Sequence, residues 1–196
     1  MKYVILGSGN ISNTYVRVIN QMEGSEIVGC VSRSGKNPSA MPALKNKKDL
    51  KSFKQDFDAV IVATPNGLHC KGIIEAAELG KHVLTEKPLG INSDSMEAAL
   101  AACESAQVTL AVAYQRRTAP DNQVVKKLLD NGTLGRVFSA DLSAKCYRDQ
   151  SYYDSATYRG GWDIDGGGPF IQQACHNIDI YTWFFGMADI VFCLFC

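Results

Sequence analysis

Residues 3–12 read YVILGSGNIS, and the fold turns on how this stretch is understood. "YVILG" (3–7) is a short, continuous apolar run of the kind that forms a strand buried on both faces. "GSGNIS" (7–12) follows at once and opens a segment in which Ile11, Tyr15, Val18, Ile19 and Met22 recur at helical spacing. Strand, glycine turn and helix together are the context that gives a G-x-G fingerprint its meaning. Gly7 permits the tight turn. Gly9 lets the main chain approach a pyrophosphate, and the first amides of the helix offer unpaired donors to that anion. Ser12 occupies a third position where glycine or alanine is usual, at an expected small cost in packing. A flavin or nucleotide-sugar pocket begins in the same way, and a bare G-x-G also serves as a purely structural turn.

Outward from this stretch, strand and helix signals alternate to residue 113. "EIVGCVS" (26–32), "DAVIVAT" (58–64), "HVLT" (82–85) and "VTLAVA" (108–113) read as strands. "LHCKGIIEAAELG" (68–80) reads as a helix ending at glycine, and Asn92 or Ser93 can cap an alanine-rich helix running to about Ala106. The lysine-rich stretch between the second and third of these strands reads as loop plus a weak helix. Apolar strands alternating with helices predict an α/β fold with a parallel sheet covered on both faces. After Tyr114 the pattern changes, and a domain boundary is expected near residue 118. A helix is predicted from Pro120 to Gly132, a one-face-buried and antiparallel strand over 135–147, and a helix opened by Pro169 and closed at Gly186.

The 196 residues are 46% hydrophobic and 20% charged, with twenty basic and twenty acidic side chains, which is the composition of a soluble globular protein. Beyond "KNKK" (45–48) no charge run stands out, so nucleic acid is not an expected partner. The apolar run before Gly7 is too short for a signal peptide. Five of the seven cysteines (Cys30, Cys70, Cys103, Cys146, Cys175) lie in apolar or helical contexts, as reduced thiols of a cytoplasmic protein do. Cys193 and Cys196 form a C-x-x-C with no second pair, a weak signal, and no metal site is expected. Residues 178–196 are apolar, but Asp179, Gly186 and Asp189 interrupt them, and no membrane span is expected. The final residues read instead as an aggregation-prone edge.

Ligands bind at the carboxyl ends of the strands of an open parallel sheet. "ATPNGLH" (63–69) and "TEKPLG" (85–90) both lie there, on the rim that carries the glycine turn. Lys87 is therefore a rim residue beside the expected cofactor rather than an ordinary turn lysine. An oxidised nicotinamide and partial desolvation would both ease its loss of a proton. The second strand ends in Ser32, Arg33 and Ser34, where an NAD site usually has an acidic residue for the ribose. Serine and arginine can hold a 2′-phosphate, so NADP is slightly favoured over NAD, although a solvent-exposed loop arginine would look the same. In "DGGGPFIQQACHNID" (165–179), Gln172 and His176 share one helix face, and Asp179 lies a little way round it. A histidine so placed is as often a satisfied core group as a catalyst, and the glycines before it favour the catalyst by leaving room for a ligand.

Taken together, "GSGNIS", "VATPNGLH", "LTEKPLG", "AYQRR", "GTLGRV", "YRGGW" and "DGGG" with "HNID" resemble, in order, the Gfo/Idh/MocA oxidoreductases over residues 2 to about 187. The resemblance implies an N-terminal Rossmann, doubly wound parallel sheet (1–118) followed by the start of an α+β substrate domain (119–196). It implies hydride transfer between NAD or NADP and a sugar, polyol or nucleotide-sugar hydroxyl. The family's catalytic lysine and histidine fall on Lys87 and His176. Its cofactor-contacting loops fall on Gly7, Ser8, Gly9, Asn10 and Ile11, on Thr64, Pro65 and Asn66, and on His69, Glu86 and Gln115. Arg159 stands near the nicotinamide end.

Two departures stand out. Gln172 replaces the aspartate of many members, and an amide orients substrate instead of acting as a base. The chain also stops after one strand and the histidine helix of the second domain, with an ending, "GMADIVFCLFC" (186–196), foreign to the pattern. It reads as truncated, frame-shifted or a fragment. That ending puts the family's homo-oligomeric state in doubt, and leaves open a dinucleotide-binding module without catalysis.

Overall fold

β1 (Lys2–Leu6) is the centre of a six-stranded, wholly parallel sheet. The computed structural model describes residues 1–53 and 56–192. In chain order, α1 (Asn10–Ile19), β2 (Glu26–Val31), β3 (Asn46–Lys47) and β4 (Ala59–Val62) follow β1. Next come α2 (His69–Glu78), β5 (His82–Thr85), α3 (Ser93–Ser105), β6 (Leu110–Val112), α4 (Pro120–Asp130), α5 (Gln150–Asp154) and α6 (Cys175–Phe185). The sheet order is β3-β2-β1-β4-β5-β6, which is that of the doubly wound dinucleotide-binding fold. Its switch point lies between β1 and β4, whose register pairs Leu6 with Val62.

Alternate residues of one strand supply two cores. Val4 and Leu6 join Val60, Val62, Ile73 and Ala99 under α2 and α3, whereas Ile5 joins Ile61, Val16, Ile19 and Ile27 under α1. The apolar runs of β1 and β4 are therefore continuous because both faces are covered. Each valine, leucine or isoleucine among them contributes about 1.5–3 kcal/mol by leaving water.

Several sequence expectations are corrected. α1 turns Ser12, Val16 and Ile19 inward, while Ile11, Val18 and Met22 are exposed. The apolar spacing identified the helix, but its inward face is the one that packs Val16 and Ile19 against Ile5, Ile27 and Ile61, and it brings Ser12 to the turn. The lysine-rich stretch is loop with a 3₁₀ turn at Lys51–Phe53, and it also contains β3, two residues long and paired in parallel with Cys30 and Val31, too short to show any period. Asn46 holds it by donating to Lys36 O at 3.2 Å and Asn37 Oδ1 at 2.8 Å. Residues 135–149 form no strand, and Phe138 (95%) and Tyr147 (85%) are exposed. A strand exists by pairing, and no strand lies beside this segment among the described residues. Pro169 does open a helix, but its first turn, Phe170–Ala174, is π-helical before α6 begins, and Gly186 (φ +86°) ends it. Among the described residues no helix is long and apolar enough to cross a membrane. Cys193 and Cys196 lie outside the described residues.

Candidate active site

The carboxyl ends of β1, β4, β5 and β6 build one rim. At the first, Gly7 adopts φ +109°, and an added Cβ would stand 2.4 Å from the carbonyl oxygen of Ala63 at the end of β4. No side chain fits there. The Gly7 amide donates to Val31 O at 2.8 Å, and Ser12 Oγ, fully buried, donates to Gly7 O at 3.1 Å. The expected packing cost at Ser12 is thus answered by a hydrogen bond that glycine or alanine lacks. Gly9 caps α1 without a side-chain bond to its first turn, and its Cβ position has nothing within 4 Å. Ser8, Gly9, Asn10 and Ile11 therefore present an open, uncapped helix N-terminus, the arrangement that accepts a pyrophosphate.

At the end of β4, Thr64 Oγ1 is buried without a hydrogen-bond partner among the described residues. Pro65 precedes Asn66, whose Nδ2 donates to Asp165 O at 3.0 Å, and the Gly67 amide donates to Ile164 O at 2.7 Å. These bonds dock the glycine-rich segment onto the rim. His69 is expected at a cofactor-contacting position. It is fully buried, and its ring bridges Pro88 O (2.7 Å) and Thr64 O (2.8 Å). Each ring nitrogen faces the carbonyl of a different rim loop, and the one that carries the proton donates to its carbonyl.

At the end of β5, Glu86 Oε1 accepts from Tyr15 Oη at 2.8 Å, and Glu86 Oε2 accepts from the Lys87 amide at 3.3 Å. Burial, and then the neighbouring Glu86, push the Tyr15 pKa up, so the phenol stays a donor. Tyr15 entered the sequence reading only as a helix-face residue. Its link to Glu86 spans 71 positions, and no local pattern encodes it. The Lys87–Pro88 peptide is cis.

Lys87 Nζ donates to the main-chain oxygen of Gln172 at 3.1 Å, which brings the rim lysine to the histidine helix. Gln172 Nε2 donates to Asp165 O at 2.7 Å. One turn on, His176 packs edge-on against Tyr114, with ring centroids 5.9 Å apart, and its Nδ1 is buried without a partner among the described residues. Burial, then the charges of Lys87 and Arg116, hold its pKa below the ordinary histidine value, so the ring is neutral and can accept a proton. The helix is fixed by a bidentate pair, Arg117 Nε to Asp179 Oδ2 at 2.9 Å and Nη2 to Oδ1 at 2.5 Å, which sequence reasoning missed.

The remaining expected residues make no hydrogen bond to Lys87 or His176 among the described residues. Ser32 Oγ donates to Lys36 O at 2.6 Å, and Arg33 is exposed beyond the end of β2. Gln115 opens the turn after β6, with its carbonyl accepting from Thr118 Oγ1 at 2.7 Å. Arg159 stacks its guanidinium 4.3 Å over the Tyr152 ring, and its Nε is buried without an acceptor among the described residues.

A glycine cradle and an uncapped helix at the switch point of a 3-2-1-4-5-6 parallel sheet define a dinucleotide-binding protein of Rossmann type. The chain belongs to the Gfo/Idh/MocA oxidoreductase family: residues 1–114 match its NAD-binding Rossmann-fold model, and residues 122–195 match its C-terminal domain model. It is 33% identical over 135 residues to oxidoreductase P35 of Formosa agariphila, covering 68% of this chain and 42% of the relative. It is 32% identical over 133 residues to levoglucosan dehydrogenase of Pseudarthrobacter phenanthrenivorans, covering 67% and 34%. Among solved structures, the WlbA dehydrogenase of Bordetella pertussis in complex with NADH and UDP-GlcNAcA superposes with a TM-score of 0.86 at 33% identity, covering 95% of this chain and 55% of that one. The chain therefore spans about half the length of its relatives, or less.

Proposed function

We propose that the protein transfers hydride between a nicotinamide dinucleotide and a hydroxyl of a sugar, polyol or nucleotide sugar. The observation that carries this is the bond from Lys87 Nζ to Gln172 O, which joins the strand-end lysine to the helix bearing a neutral His176. Membership of the family, a relative that is a levoglucosan dehydrogenase and a similar structure solved with NADH and a nucleotide sugar support it. The residues present fit the cofactor. Gly7, Ser8, Gly9, Asn10 and Ile11 would hold its pyrophosphate, and Thr64, Pro65, Asn66, Glu86 and Gln115 would line the remainder of the rim. Bound there, the nicotinamide supplies a hydride acceptor or donor.

His176 takes the proton of the reacting hydroxyl, and Lys87 hydrogen-bonds the same oxygen, stabilising the negative charge that develops on it. The Gln172 amide, whose Nε2 donates to Asp165 O, orients the substrate by hydrogen bonds, and its main-chain oxygen positions Lys87. Ser32 and Arg33 stand where the adenosine ribose is read, and no carboxylate lies in residues 31–37, so NADP is favoured over NAD. Tighter binding of NADPH than NADH in a fluorescence titration is the expected result, and tighter binding of NADH would reverse the preference.

Turnover over a panel of sugars and polyols, followed by nicotinamide absorbance, tests the reaction itself. Because the neutral form of His176 is the active one, kcat/KM is expected to be full above its lowered pKa and to fall as pH drops through it. The acid limb then lies below the ordinary histidine value of 6.5. A limb at or above that value, or one that persists in His176→Gln, would remove His176 from the role. A second reading, a dinucleotide-binding module without turnover, is favoured by the exposed, unpaired segment 135–149. It predicts cofactor binding and no reaction with any member of the panel.

A further inference from the structure

The cations around the histidine helix rest on neutral acceptors. Lys87 Nζ donates to Gln172 O at 3.1 Å, Arg116 Nη1 to Asn177 Oδ1 at 2.5 Å, and Arg148 Nη2 to Gln173 Oε1 at 2.9 Å. Arg159 lies 4.3 Å over the ring of Tyr152, whose hydroxyl accepts from Gln173 Nε2 at 3.3 Å. All four thus converge on residues 172–177, directly or through Tyr152. That segment, QQACHN, carries no acidic residue.

The nearby carboxylates hold other groups, and Asp149, beside Arg148, accepts from Ser151 Oγ at 2.7 Å and from the Tyr152 amide at 3.1 Å. Asp179 is the acidic residue of α6, and Arg117 neutralises it. Glu86 serves Tyr15 and the Lys87 amide, and Asp165 Oδ2 accepts from the Gly160 amide at 2.7 Å. The ion pairs among the described residues are Lys2–Asp56, Arg117–Asp179 and Lys126–Asp130, none of which involves the four cations. Arg159 Nε, buried without an acceptor, is an unmet donor at this place. Exposed arginines are ordinary on a protein surface, but cations gathered on one short segment without a counter-charge are not balanced by the chain itself. Lys87 and Arg116 also act on the His176 ring, ahead of the opposing charges of Glu86 and Asp179, which places their fields at the reacting end of the site. Beside the segment is a cavity of about 250 Å³, lined by Tyr152, Trp162, Gln172 and Gln173 among others.

We infer that the site selects an anionic sugar, one bearing a carboxylate or a phosphate, and that Arg116, Arg148 and Arg159 read its charge. This rests on the sugar oxidoreduction proposed above. The cofactor does not supply this anion: its pyrophosphate is assigned to the N-terminus of α1, and the end that meets Lys87 and His176 is the nicotinamide, cationic when oxidised. A guanidinium fork matches either oxyanion bidentately.

Calorimetric titration of the cofactor-loaded protein with matched sugars tests this. D-glucuronate against D-glucose reports on a carboxylate, a hexose phosphate against the free hexose on a phosphate, and UDP-glucuronate against UDP-glucose on a carboxylate beside a diphosphate. At least one anionic member is expected to bind about tenfold more tightly than its neutral partner. That preference is expected to shrink with added salt and to be lost in Arg116→Gln combined with Arg148→Gln, both at exposed positions, and in Arg159→Gln checked for folding by circular dichroism. Equal binding of anionic and neutral members overturns the inference, and so does a preference that survives these substitutions. Turnover of neutral sugars as efficient as that of anionic ones overturns it while leaving hydride transfer standing. Cofactor binding with no sugar bound at all overturns both.

Discussion

Lys87→Met is expected to lower kcat/KM by about a hundred- to ten-thousand-fold, the usual contribution of a positioned acid–base group, while the dinucleotide still binds. Methionine keeps the length and apolar stem of lysine but has no ammonium to meet the substrate oxygen. It also cannot donate to Gln172 O, so the tie between the β5 rim and the histidine helix is lost. Cofactor affinity should change little, because the phosphate contacts assigned to the α1 N-terminus are untouched. A second readout isolates the electrostatic part. The Lys87 charge is one of the causes holding His176 down, so its removal should raise the His176 pKa, followed by NMR of the imidazole. Burial is the larger cause and persists, so the value should stay below 6.5. Full turnover in Lys87→Met, or an unmoved His176, would refute the assignment.

Gly7→Ala and Gly9→Ala should fail in different ways. At Gly7 the backbone is left-handed (φ +109°), and a Cβ would press on the Ala63 carbonyl at 2.4 Å, part of the main chain at the switch point. Strain and overpacking each cost about 1–3 kcal/mol, so a loss of about 3 kcal/mol is expected, or a Tm lower by about 10 °C. At Gly9 the Cβ has nothing within 4 Å, and the backbone is ordinary extended chain (φ −75°, ψ −175°). Gly9→Ala should therefore leave stability within about 0.5 kcal/mol of the parent while weakening dinucleotide binding, because the added methyl occupies the approach to the helix amides. Thermal unfolding and an NADH or NADPH titration of the two variants measure both effects. Normal cofactor affinity in Gly9→Ala would remove the phosphate role of this turn.

Much of this was legible beforehand because its causes are local. Continuous apolar runs mark strands covered on both faces, and "YVILG" and "DAVIVAT" proved to be the two strands of the switch point. The glycine of a tight turn is specified by its own backbone angle, so Gly7 could be picked out from the motif alone. Pro120 at the first turn of α4 and Gly186 at the end of α6 mark helix ends for equally local reasons. The position of Lys87 on the rim followed from counting strands. Where local signals ran out, so did the expectations. Residues 135–147 alternate as a strand should, but alternation gives only the two faces of a strand and does not supply the neighbour it must pair with.

The sequence by itself thus determined a parallel sheet covered on both faces, the strand–turn–helix that opens it and the rim on which the candidate chemistry sits. These depend on periodicity and backbone conformation over a few residues, while the strand order belongs to the tertiary structure. Only the tertiary structure decided that α1 turns Ser12 inward, that His69 is tied between two carbonyls, and that Tyr15 holds Glu86. The same is true of the bond from Lys87 to a carbonyl 85 positions away, and of the four cations gathered on a segment without acids. Each of these is a contact between separate elements. Such contacts form only when burying the two cores brings distant segments together, and the hydrogen bonds then available at the junction assign each polar group its partner.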